Sequence, residues 1–95
     1  MAKLNARGRT ELVRLSKVRE DPTNDLTNWN RTTVALFSDR TILKKLDVRF
    51  TSDGRRHSYG WKKYGKMKEP GVGEHPEAPM QKFIEAFEKV GYTRE

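Results

Sequence analysis

Between positions 42 and 68 the chain reads ILKKLDVRFT, then SDG, then RRHSYGWKKYGKMK, and Asp53-Gly54 at the centre restricts the fold more than any other pair. Both central residues of a type I′ turn need positive φ, which Asp tolerates and Gly adopts without penalty, so the flanking runs form an antiparallel hairpin. A two-residue turn sets the register. Phe50 then faces His57, Val48 faces Tyr59 and Leu46 faces Trp61 on one side. On the other side Thr51 meets Arg56, Arg49 meets Ser58, Asp47 meets Gly60, Lys45 meets Lys62 and Leu43 meets Tyr64. The first side is apolar and aromatic; the second is basic.

The rest of the chain supplies partners for this hairpin. TELVRLSKVR over 10–19 and WNRTTVALF over 29–37 are rich in β-branched and aromatic residues and read as two further strands. Val13 and Leu15 share one face while Val18 falls out of phase, which points to a bulge between them. SDRT lacks the Gly or Asn of a two-residue primed turn, so a loop of three residues or more joins the second strand to the third. Three residues place Val34, Leu36, Ile42 and Leu46 on one face. After the Gly/Pro-rich EPGVGEHP, Met80, Phe83, Ile84, Phe87 and Val90 fall on one helical stripe, with Pro76 or Pro79 suited to the first turn and Gly91 to the end. Such a short helix is not stable alone and must cover the apolar face of the sheet.

The expected architecture is therefore α+β: a curved four-stranded antiparallel sheet with a C-terminal amphipathic helix on one face, in the order ββββα. Strands are expected near 10–19, 29–37, 42–51 and 55–67, and the helix near 77–90. Residues 1–9 read as a flexible basic arm before a single domain over 10–95. A 95-residue chain that is 34% hydrophobic and 35% charged has room for one small core, and no cysteine to staple it. Pairing with a second copy would supply further burial, so a homodimer is a candidate state. The absent cysteines fit a reducing compartment, and no apolar run suggests a leader or membrane span, so a cytoplasmic location is expected.

Charge is distributed unevenly. Residues 1–68 hold 17 Lys/Arg against 7 Asp/Glu, a net of +10, whereas residues 69–95 hold 3 against 6, a net of −3. A cationic surface of this kind attracts polyanions through counterion release. If the helix covers the face of Leu46, Val48, Phe50, Tyr59 and Trp61, the opposite face presents Lys45, Arg49, Arg56, Lys62 and Tyr64. Alternate residues on a strand lie roughly 6.5–7 Å apart and neighbouring strands about 4.8 Å, so these cations form a grid on the scale of successive phosphates. Lys63, Lys66 and Lys68 at the edge and Arg7 and Arg9 on the arm extend it, and Tyr64 is the candidate stacking ring, with Trp29 a second if exposed.

These residues point to a non-enzymatic nucleic-acid-binding protein, for DNA or RNA. A single strand would lie along the face, or a duplex would take the hairpin into its major groove. Four strands followed by a helix is similar in order to coactivator-type domains that bind single strands on a curved sheet, and three-strand-plus-helix domains read duplex DNA. The alternative is a small protein-interaction module or inhibitor whose basic face docks an acidic partner; size and lack of motifs resemble the small proteins of phage and mobile elements. No cofactor or metal is implied, since His57 and His75 lack metal-ligand spacing and no P-loop, nucleophile elbow or dinucleotide fingerprint occurs. A metal-independent nuclease would have to be built from His57, Arg55, Arg56 and a tyrosine.

Overall fold

The computed structural model describes residues 9–95. Among these, the elements run β1 (Glu11–Glu20), β2 (Thr27–Phe37), β3 (Thr41–Phe50), β4 (Arg56–Ser58), β5 (Lys62–Lys66), α1 (Ala78–Lys89) and β6 (Thr93–Arg94). One antiparallel sheet has the order β4-β3-β2-β1-β6, and β5 also pairs with β3. The α+β class and the terminal helix agree with the sequence reading. The strand count does not: the fourth strand is divided into β4 and β5, which share the outer edge of β3, and β6 is additional.

The β2–β3 hairpin turns through residues 38–40. Arg40 takes φ 72° and donates its amide to Phe37 O at 2.8 Å. The three-residue loop aligns Leu36 with Ile42, Val34 with Lys44 and Thr32 with Leu46, giving the common face expected for Val34, Leu36, Ile42 and Leu46. In β1 the irregularity lies between Glu11 and Val13, not before Val18, which stays in phase opposite Arg31 and is simply exposed.

The Asp53-Gly54 hairpin has a different register from the one its turn signal suggests. Phe50 N–H bonds to Arg55 O at 2.9 Å, Val48 aligns with His57 and Arg49 with Arg56, so residues 51–54 form a four-residue loop. Thr51 is drawn away from the hairpin. Its amide donates to Leu26 O at 2.9 Å and its hydroxyl to Asn24 O at 2.8 Å, so the β1–β2 loop takes the bonds that the last rung would have used. Gly54, at φ 70°, closes the loop with its amide on Phe50 O.

A second departure has a larger effect on the surface. Tyr59 still donates to Leu46 O at 2.8 Å, but pairing then lapses and resumes with Lys62 opposite Lys44, one residue out of step with β4. Side chains alternate faces along a strand, so this one-residue slip moves Trp61 through Tyr64 to the other side, until a second irregularity between Ile42 and Leu43 restores the phase and sets Lys66 opposite Thr41. Trp61 thereby leaves the helix side, and Lys62 and Tyr64 join it.

Helix α1 seals one end of the sheet, where Leu15, Val34, Leu36, Ile42 and Phe83 form the buried cluster, flanked by Val13, Met67, Met80, Ile84, Phe87 and Tyr92. The expected cover over Leu46, Tyr59 and Trp61 is not formed; Leu46 and Tyr59 are 36% and 44% exposed. Length explains this. Twelve helical residues reach about 18 Å, whereas the eleven of β2 reach about 36 Å. Val90, expected on the helix stripe, is the exposed C-cap.

Pro79 sits buried in the first helical turn. At the other end Gly91, at φ 102°, donates to Glu88 O at 3.1 Å and Tyr92 donates to Phe87 O at 3.0 Å, the bond pattern of a Schellman motif. The matching apolar contact is present, with the Tyr92 and Phe87 rings 5.1 Å apart. This reversal delivers Thr93 and Arg94 to β1, opposite Ser16 and Leu15. A Cβ at Gly91 would lie 3.2 Å from Lys17 Cε as well as forcing the positive φ. Gly91→Ala is expected to cost at least about 1 kcal/mol and to loosen β6, read by urea denaturation and by amide exchange at Thr93 and Arg94.

Candidate nucleic-acid interface

The face of the sheet away from α1 is built from register rows that cross it. They are Arg14–Ala35–Leu43–Lys63, Ser16–Thr33–Lys45, Val18–Arg31–Asp47–Ser58 and Glu20–Trp29–Arg49–Arg56. Basic and aromatic residues alternate with small ones in these rows, and the tryptophans become the organising feature.

Two cations approach the half-buried Trp61, with Arg14 Cζ 5.2 Å and Lys45 Nζ 5.4 Å from its ring centroid. Arg14 is on β1 and Trp61 beyond β3, three strand positions or about 14 Å apart, so both side chains reach inward and meet above β2. Ala35, fully buried there, leaves the room they need. Trp29 repeats the arrangement nearby: Arg56 Cζ is 4.6 Å and Arg31 Cζ 5.7 Å from its ring. Guanidinium and ammonium groups are attracted to the electron-rich faces of indole rings.

Neighbouring acids determine which cations are already engaged. Glu11 grips Arg14 in a fork, with Nε to Oε2 at 2.9 Å and Nη2 to Oε1 at 2.8 Å. That hydrogen bonding raises the guanidinium further above its ordinary value, against the opposing effect of burial. Arg31 pairs with Asp47 at 3.3 Å, and Arg49 Nε donates to Asn28 Oδ1 at 2.9 Å. Among the described residues, no carboxylate lies within 4 Å of Lys45, Arg49, Arg56 or Lys63. Those four keep their charge available to an outside anion.

The expected site residues divide as follows. Lys45, Arg49 and Arg56 lie on the open face, as the alternation of β3 required. Lys66, opposite Thr41, lies at its far end, where its charge reaches Asp39. Arg9 is there as well, 3.7 Å from Asp39 and with its guanidinium 5.6 Å from the Phe37 ring centroid. Burial pushes the Asp39 carboxyl upward, but hydrogen bonds from Thr41 and the charges of Arg9 and Lys66 outweigh it and hold the group below its ordinary value. Arg7 falls outside the described residues.

Two placements need correcting. Lys62 and Tyr64 lie on the helix side, Lys62 opposite Lys44, and Tyr64 with its ring 5.9 Å from Phe87 and Lys44 Nζ 5.4 Å from its own centroid. The slip after Tyr59 is the cause. The same slip brings Trp61 outward, although pairing with Leu46 had assigned it to the core. Trp29 is 9% exposed beneath Arg31 and Arg56, so its ring is covered by cations instead of offering a bare surface.

Arg14 and Arg31 were not singled out in the sequence, whereas Lys63 was expected with Lys66 on the edge of the cationic face. For the first two a signal existed: Val13 and Leu15 place Arg14 opposite the core, and Val34 and Leu36 do the same for Arg31. His57 and Tyr59 form an edge-on pair at 4.5 Å on the helix side, while Arg56 turns to the other face. Of the residues named for a nuclease, His57 and Tyr59 are thus together and Arg56 faces away from them. No group of three or more potential metal ligands occurs among the described residues, and no described helix is long and apolar enough to cross a membrane. No protein-family model, curated protein or solved structure matches the chain.

Proposed function

We propose that this protein binds single-stranded nucleic acid, without catalysis, on the open face of its sheet. One observation carries the reading: Trp61 and the Trp29–Arg56 stack stand on the same face as four cations that have no carboxylate partner among the described residues. Single-strand binders combine a cationic track for the backbone with planar groups for the bases. Here Trp61 supplies one planar group and the Arg56 guanidinium, held flat over Trp29, supplies the second. Lys45, Arg49, Arg56 and Lys63 track phosphates, and Lys66 and Arg9 extend the path.

The surface favours a single strand over a duplex. Its planar groups are useful only to bases that are unstacked, and β4, at three residues, is too short to form a ribbon that enters a major groove. Little base preference is expected, since stacking tolerates every base.

Salt titration tests the proposal. Four phosphate contacts on a single strand give a slope of about −2.8 in log K against log salt, so affinity for a labelled oligo-dT should fall about 50-fold between 50 and 200 mM. Absence of binding to single-stranded DNA and RNA at low salt would sink the reading. Recovery of one acidic protein in its place, by the same face, would favour the adaptor alternative.

A further inference from the structure

The helix side of the sheet has its own unoccupied feature, independent of the open face. Where α1 stops short, a groove of about 490 Å³ is floored by Leu46 and Val48, walled by Tyr59, Gly60 and Tyr64, and rimmed by Lys44 and Lys62, with Lys63 at the strand edge that it shares with the open face. This volume falls within the usual range of ligand sites, about 300–1,000 Å³. Leu46, Tyr59 and Tyr64 are 36%, 44% and 56% exposed, above a Val48 that is almost fully buried.

The rim is the informative part. Lys44 and Lys62 stand directly opposite each other across β3 and β5. Like charges so placed destabilise a sheet. Among the described residues, no carboxylate lies within 4 Å of either one. An anion seated between them would convert the repulsion into a bridge, while the aliphatic floor calls for an apolar group a few ångströms away.

We infer that this groove docks an acidic protein segment, its bulky apolar side chains on Leu46 and Val48 and its carboxylates on Lys44 and Lys62. Charge complementarity selects an acidic occupant, and the floor selects one with aliphatic or aromatic anchors. A nucleic acid fits less well. The Tyr64 ring has Lys44 over it and Phe87 against its edge, so a base stacking there would have to displace Lys44, and the aliphatic floor of Leu46 and Val48 has no hydrogen-bonding side chain to offer one.

The test is a titration of ¹⁵N-labelled protein with a synthetic 12-residue peptide of alternating Glu and Leu/Phe. Amide shifts are expected at Leu46, Val48, Tyr59 and Tyr64. Lys44→Glu with Lys62→Glu should weaken binding at least tenfold, at two exposed positions where the melt checks the fold, and Trp61→Ala should leave it unchanged. A control peptide with Ser in place of Leu/Phe should bind at least tenfold more weakly. Equal binding of the control would reduce the effect to net charge and overturn the inference, as would an unaffected double variant. Displacement of the peptide by oligo-dT would give the groove to nucleic acid, and shifts at these amides on simple dilution would give it to a second copy; either also overturns it. Failure here leaves the open-face proposal intact, because that proposal is read by oligo-dT affinity.

Discussion

Replacing Trp61 by alanine is expected to weaken oligo-dT binding roughly five- to 150-fold, the range that corresponds to losing about 1–3 kcal/mol of one base–aromatic stack. The variant should remain folded. Trp61 is half-buried on a face that has no helix, so its loss removes little of the main core. Two further variants make the result diagnostic. Arg56→Ala removes both a phosphate contact and the plane over Trp29, so it should weaken binding and also flatten the salt slope by about 0.7. Trp61→Ala should leave that slope nearly unchanged. If Trp61→Ala binds as the wild type does, stacking plays no part and the open face is at most a cationic surface. Tyr64→Ala, on the other side of the sheet, is the matched control and should have no effect on oligonucleotide affinity.

The second large effect concerns the fold. Phe83 is the helix residue at the centre of the buried cluster, fully enclosed and with its ring 5.0 Å from Phe87. Phe83→Ala is expected to cost about 3–5 kcal/mol, combining lost transfer energy with the cavity left behind. For a domain of this size each kcal/mol moves the melting temperature by about 4–8 °C, so a fall of at least about 12 °C should appear in a thermal melt. The effect is severe because α1 contributes only a short stripe, and Met80, Ile84 and Phe87 surround Phe83 without replacing it. A loss below about 1 kcal/mol would mean that the helix is not the lid on which this sheet depends.

How far the sequence revealed this fold depended on whether a signal was local. The alternation of Leu46, Val48 and Ile42 against Lys45 and Arg49 placed β3 correctly, because a strand's two faces follow from a period of two. The helix stripe through Met80, Phe83, Ile84 and Phe87 was equally direct. The Asp53-Gly54 signal located a turn but not its length, which depends on Thr51 bonding to Leu26 and Asn24 some 25 residues earlier. For the site, Lys45, Arg49 and Arg56 followed from alternation. Trp61, Lys62 and Tyr64 did not, because their facing depends on a break in pairing that Gly60 marks only weakly.

That break has a consequence for how the two surfaces can change. Nothing in the chemistry of Trp61, Lys62 or Tyr64 assigns them to a face; their place is set by counting residues from Tyr59. Gly60 and Trp61 together stand against the single residue Lys45, so deleting Gly60 would remove the extra residue and leave Trp61 on the open face and Lys62 and Tyr64 on the helix side, now in unbroken alternation from Tyr59. The contents of both faces thus survive the loss of one residue, because the shorter strand reaches by plain alternation the arrangement that the longer one reaches through its break. A break of this kind absorbs the loss of its own extra residue, and chains one residue shorter at this point would present the same side chains to the same partners.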